Sequence, residues 1–197
     1  MAGWTTHDGL AAALPQANVD TDQIIPARFM SASRKEGYGD YLFADLREGN
    51  DAFPLDRHAG ISVLVAGPNF GCGSSREAAV YALIDAGIHV VVAESFAEIF
   101  AGNAVNNGLL PARTAEAGAI LEALGTETAK VRVDLETRRF LVDDREYGFE
   151  LSEIWRRKLV NGWDDIDLTL SRTEAIAAYR DARRGQAPWI WPKTAPS

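Results

Sequence analysis

Residues 61–77 read Ile61-Ser62-Val63-Leu64-Val65-Ala66-Gly67-Pro68-Asn69-Phe70-Gly71-Cys72-Gly73-Ser74-Ser75-Arg76-Glu77. A short β-rich apolar run that breaks at Gly-Pro-Asn is how a buried strand meets a loop. Beyond the loop the period changes: Ala79, Ala82, Leu83 and Ala86 share one helical face, which predicts a helix over 74–86. His89-Val90-Val91-Val92-Ala93 repeats the strand signature, and a second helix is expected over 96–107, closed by Gly108. Strand, helix, strand, helix in that order defines an α/β layer with parallel pairing.

Farther along, 111–124 is expected to be another helix, and 128–151 alternates as two or three strands of antiparallel hairpin character. Two late helices carry start and stop signals, 152–160 with Gly162 behind it and 171–184 with Gly185 behind it. The whole is expected to be one domain over 1–197, with an irregular lid or substrate loop at about 27–60 and an extended tail at about 186–197.

The chain has 197 residues, Lys+Arg 20 against Asp+Glu 28, a formal charge of −8 and 47% hydrophobic residues. That composition excludes disorder and fibrous architectures, and the length suffices for a real core. A negative surface without long basic runs disfavours nucleic acid and anionic membrane as partners. The first twenty residues lack a signal-peptide pattern and no apolar run approaches a membrane span, so a cytoplasmic location is expected. Cys72 is the one cysteine, so neither an internal disulfide nor a cluster held by several thiolates is open to this chain.

The chemistry concentrates in 67–77. Glycines let the backbone turn tightly against a ligand, and free amides at a helix start make an anion site. Ser74, Ser75 and the forked guanidinium of Arg76 suit a carboxylate. A plainer reading also exists: Ser74 with Glu77 fits a capping box, as Ser171 with Glu174 does later. The dinucleotide pattern fails because position 76 is Arg, and the nucleophile elbow fails because position 77 is Glu. Cys72 as a nucleophile needs a base; His89 reads as a strand-start residue, and His7 and His58 as solvated. A second cluster, 18–29, holds Asn18, Asp20, Thr21, Asp22 and Arg28, and either shapes a turn or organises a loop around Arg28. A third, 94–111, reads mainly as Ser95 capping a helix that Asn107 and Gly108 stop.

Together, in order and spacing, 18–29, 67–77 and 94–111 resemble the signature segments of the small subunits of 3-isopropylmalate dehydratase, relatives of the aconitase C-terminal domain. Residues 38–43, 163–166 and 187–189 resemble the bacterial form, so the likeness covers nearly the whole chain. It implies a swivelling β/β/α fold with an antiparallel hairpin and C-terminal helices. It also implies a large subunit bearing a [4Fe-4S] cluster, no metal bound by this chain, and interconversion of 2- and 3-isopropylmalate in leucine biosynthesis.

Carried over by position, Ser74 is the proton-abstracting base, and Ser75, Arg76, Gly73 and Arg28 bind the dicarboxylate. Met30, Leu42 and Phe43 are expected to line the substrate-specificity loop. One departure is Ala78, where the family commonly has His. Three alternatives stay open: a related dehydratase of the citraconate/methylmalate or homoaconitase type, a non-catalytic carboxylate-binding module, and a stand-alone hydrolase using Cys72.

Overall fold

Continuous burial along the apolar runs 61–66 and 90–93 dictates a sheet that is covered on both faces there. The computed structural model describes residues 2–192. It divides into two units, Met1–Trp163 and Asp164–Ser197.

The first unit opens with β1 (Thr6–Leu14) and the single turn α1 (Thr21–Ile24), where the Asp20 carboxylate accepts the Gln23 amide at 2.8 Å. Residues 27–60 are threaded by one-turn elements: 3-10 turns at Ala27–Ser31 and Gly39–Tyr41, then α2 (Ala44–Arg47) and α3 (Pro54–Arg57). Next come β2 (Ile61–Ala66), α4 (Glu77–Asp85), β3 (Val90–Ala93), α5 (Glu98–Asn106) and β4 (Leu110–Arg113). The unit closes with α6 (Ala117–Leu124), β5 (Thr128–Asp134), β6 (Arg139–Val142), β7 (Arg145–Gly148) and α7 (Glu153–Asn161).

The seven strands form one sheet in the order β4-β3-β2-β1-β5-β6-β7. From β1 to β4 the pairing is parallel, joined by helices as parallel strands require. From β1 across β5, β6 and β7 it is antiparallel, as the hairpin pattern predicts. Period-two alternation sends Ala12, Leu14, Leu64, Ala66, Val91 and Ala93 into one core, with α4, α5 and much of 19–55. Their neighbours Ala11, Ala13, Val63, Val65, Val90 and Val92 enter the other, with α6, Leu159 and the hairpin.

Two strands escaped the sequence signals. The alanine-rich 6–14 carries no β-branched run, yet it is the central strand; Gly9 sits so close to β2 that a Cβ would lie 2.0 Å from the Ser62 hydroxyl. Residues 110–113 are strand rather than the start of the helix expected over 111–124, and α6 begins only at Ala117. Pro111 is tolerated there because β4 is an edge strand.

The second unit holds α8 (Asp165–Leu170), opened by a capping box of Asp164 with Asp167, and α9 (Thr173–Gln186). The expected Ser171–Glu174 box does not form: Ser171 Oγ donates to the Leu168 carbonyl at 2.6 Å, and α9 runs through Gly185. A 3-10 turn at Pro188–Ile190 follows; the rest of the expected tail, 193–197, lies outside the described residues. Among the described residues no helix is long and apolar enough to cross a membrane.

Leu64 is 1% exposed at the centre of the sheet. Leu64→Ala is expected to cost about 2–5 kcal/mol in denaturant unfolding, against less than about 0.5 kcal/mol for Ile154→Ala at an exposed position.

Candidate active site

The turn after β2 is stitched to its surroundings on two sides. On one, Gly71 N–H donates to the Val19 carbonyl at 2.8 Å, Thr21 N–H to Cys72 at 2.8 Å, and Thr21 Oγ1 to the Ser74 carbonyl at 3.1 Å. On the other, Phe70 N–H donates to the Ser95 carbonyl at 3.1 Å, Ala97 N–H to Phe70 at 3.0 Å, and Asn69 N–H to Ser95 Oγ at 2.9 Å. Asn18 and Asn69 are both at positive φ, and Asn69 Nδ2 donates to Asn18 Oδ1 at 2.8 Å. The three sequence clusters thus meet at one place.

Gly71 is needed there twice over. Its φ is +76°, and a Cβ would lie 2.2 Å from Phe100 Cγ. Gly73 follows at φ +92°. These two reversals put Ser74 and Ser75 at the surface, in a cleft of about 310 Å³ with Thr21, Arg76, Ile99 and Asn103.

The capping reading of Ser74 is not what the structure holds. Arg76 occupies the N-cap of α4, without a side-chain cap. Among the described residues, neither the Ser74 hydroxyl nor the amides of Gly73, Ser74 and Ser75 has a hydrogen-bond partner in the chain. Ser95 likewise caps no helix; Ala97 is the N-cap of α5, and Ser95 instead accepts from Asn69. Asn107 and Gly108 do end α5, as expected.

The cleft is therefore bordered by the uncapped starts of two nine-residue helices, with a positive dipole end at each. Arg76 adds a full charge. Its side chain is 19% exposed and pairs with Asp22 of α1, which is 54% exposed. Arg76 lines the cleft, and its guanidinium is held by the exposed Asp22 carboxylate and not by a buried group. Glu77, first residue of α4, accepts from Asn107 Nδ2 at 2.8 Å and so ties the start of α4 to the end of α5.

Other expected residues are not brought to the cleft. Arg28 lies in the Ala27–Ser31 turn, over the Phe29 ring at 4.5 Å, and gives both ends of its fork to Asp45. Leu42 and Phe43 are core residues at 0% exposure, so they have no surface to offer a substrate; Met30 is 42% exposed but lies outside the cleft lining. Ala78 packs against the core from α4. Ile99 and Asn103 line the cleft, although within the 94–111 cluster only their spacing on one helix pointed to them. Asp22 as the partner of Arg76 was hidden by 54 positions of separation.

The thiol reading has no base. Burial, then the charge of Asp20, pushes the half-buried Cys72 thiol up, so it is neutral at physiological pH. No histidine lines the cleft. His7, expected to be solvated, is half-buried, bonds to Ser62 Oγ at 2.8 Å and stacks on the exposed His89 at 4.6 Å; burial and that neighbour push it down. His58 faces the Thr126 carbonyl at 3.1 Å.

A strand, a glycine turn and a helix start presenting hydroxyls and a guanidinium define the class, and the aconitase C-terminal domain matches residues 1–117. The chain is 46% identical over 192 residues to the 3-isopropylmalate dehydratase small subunit of Shewanella amazonensis, covering 91% of this chain and 96% of that one. Against the Shewanella baltica small subunit, identity is 42% over 198 residues, with 94% and 98% covered. The crystal structure of a 3-isopropylmalate dehydratase from Methanocaldococcus jannaschii superposes with a TM-score of 0.68 at 30% identity, covering 89% of this chain and 99% of that one. The chain belongs to the family of 3-isopropylmalate dehydratase small subunits.

Gly71→Ala is expected to lower unfolding stability by about 2 kcal/mol or more, from strain and overpacking. Gly102→Ala, mid-helix with open space around it, is expected to raise stability by about 0.5–1 kcal/mol.

Proposed function

We propose that this chain is the small subunit of a hydro-lyase that interconverts 2-isopropylmalate and 3-isopropylmalate by dehydration and rehydration in leucine biosynthesis, in the cytoplasm. The observation that carries this reading is the unpartnered Ser74 hydroxyl beside Arg76 in a cleft bordered by two helix starts.

The reaction needs three things: loss of a weakly acidic C–H proton, departure of hydroxide from the adjacent carbon, and an anchored dicarboxylate. Lewis-acid withdrawal of the hydroxyl is the chemistry a [4Fe-4S] cluster supplies. This chain's donor set does not fit such a cluster, since Cys72 offers a single thiol that burial keeps protonated. We assign the cluster to the large subunit.

What this chain does is hold the substrate and move a proton. Ser74 Oγ, as the alkoxide left once its own proton has passed to water, takes the C–H proton and becomes the hydroxyl again, and Ser75, the Gly73 amide and the forked Arg76 hold a carboxylate. A serine hydroxyl is ordinarily a poor base. The alkoxide gains stability here from the α4 start, the free amides of the turn and Arg76, and more once the partner excludes water. In the free chain Asp22 already balances Arg76, so an incoming carboxylate must share or displace that contact. Substrate choice we assign to the 30–45 loop, where Met30 is exposed outside the cleft of the free chain and Leu42 and Phe43 are buried.

With the large subunit present, Ser74→Ala is expected to cut turnover by about 10² or more while leaving assembly intact. Near-native turnover would reject the base assignment. Arg76→Lys, which keeps the charge and loses the fork, is expected to raise KM for the dicarboxylate by about tenfold or more, with a smaller change in kcat.

A further inference from the structure

A second hollow, of about 540 Å³, adjoins the Ser74 cleft, and Glu98 at the start of α5 lines both. Phe96, Pro111, Leu151 and Trp155 give it an apolar lining, with Phe96 and Trp155 only half-buried. Charge around it is unbalanced: Glu98 and Glu150 face Arg113 alone, and the Arg113–Glu150 contact is open at 3.7 Å, with side chains 61% and 77% exposed. Next to Glu98, Ile99 stands 59% exposed on the cleft side. An apolar ridge between two hollows is what an interface core requires, and nothing in the chemistry of Ser74 calls for it.

We infer that this hollow is part of the surface on which the large subunit docks, receiving an apolar side chain flanked by a Lys or Arg of that subunit. The inference rests on the reading above, in which a larger partner covers the Ser74 cleft. A stable interface buries about 800 Å² on each partner, a disc of roughly 16 Å radius. Ile99 and Glu98 line the Ser74 cleft and Glu98 lines the hollow as well, so a partner that covers the cleft reaches the hollow by continuing across Glu98. Inside it, Trp155 is the residue type that most often carries binding energy, and the excess carboxylate selects a basic neighbour.

The test titrates purified large subunit into native chain, Trp155→Ala, Glu150→Lys and Ser74→Ala, with calorimetric Kd and turnover read on each pair. Trp155→Ala is expected to raise Kd at least tenfold. Glu150→Lys is expected to raise it at least threefold, by a margin that narrows at high salt. With large subunit in excess of the raised Kd, both variants should recover native turnover per complex. Kd values within twofold of native for both would overturn the inference; should Trp155→Ala melt early, the exposed Glu150→Lys decides alone. Ser74→Ala separates the two claims: native affinity with native turnover would sink the base assignment and leave the docking surface standing.

Discussion

The backbone bonds that join 67–74 to 18–21 on one side and to 95–97 on the other are the constraint on which the rest of the molecule depends. Each contributes only about 1 kcal/mol net, but together they fix a turn that Gly71 and Gly73, both at positive φ, would otherwise leave free to wander. The sheet supplies the anchor points. β2 and β3 end beside one another, and the segment after β1 returns along the turn, so three stretches remote in sequence become three walls of one cleft. A base and a guanidinium are useful only when held to within about 0.5 Å, and loop residues achieve that by being tied down at several points.

The electrostatics favour the proposal that a second subunit covers this site. Exposed to water, two helix starts, a few amides and an arginine already matched by Asp22 exert little force. When a second protein displaces the water, the same dipoles act through a lower dielectric without having to reorient. Family membership, a single cysteine and an open cleft lead to the same division of labour. In the function proposed, this chain grips the dicarboxylate and handles the proton, and the large subunit supplies the electron-withdrawing metal centre.

Much of this was legible in the sequence, for definable reasons. Residues 61–66 and 89–93 announced themselves as strands because both of their faces are buried, which makes them continuously apolar. The hairpin at 128–148 was legible because one face is wet, giving strict alternation. β1 was not, because its centre reads Gly9-Leu10-Ala11-Ala12-Ala13 where a strand usually shows Val or Ile; at Gly9 a Cβ would meet the Ser62 hydroxyl at 2.0 Å. Ser74 looked like a cap because the local pattern fits one; only the turn geometry shows the helix starting three residues later. Leu42 and Phe43 looked available for a substrate because a loop's burial is decided by what packs over it. Here the Phe43 amide bonds to the Ile24 carbonyl and both side chains enter the core. Arg28 was placed by its cluster, but Asp45 claims its guanidinium from 17 positions away.

A crystal structure of the assembled two-subunit enzyme with a bound dicarboxylate tests the central claim most directly. The account expects Ser74 Oγ about 3–3.5 Å from the carbon that yields its proton, with the Arg76 fork on a carboxylate of the same molecule. A dicarboxylate gripped by other residues, with the 67–76 turn facing bulk solvent away from the partner, would contradict it.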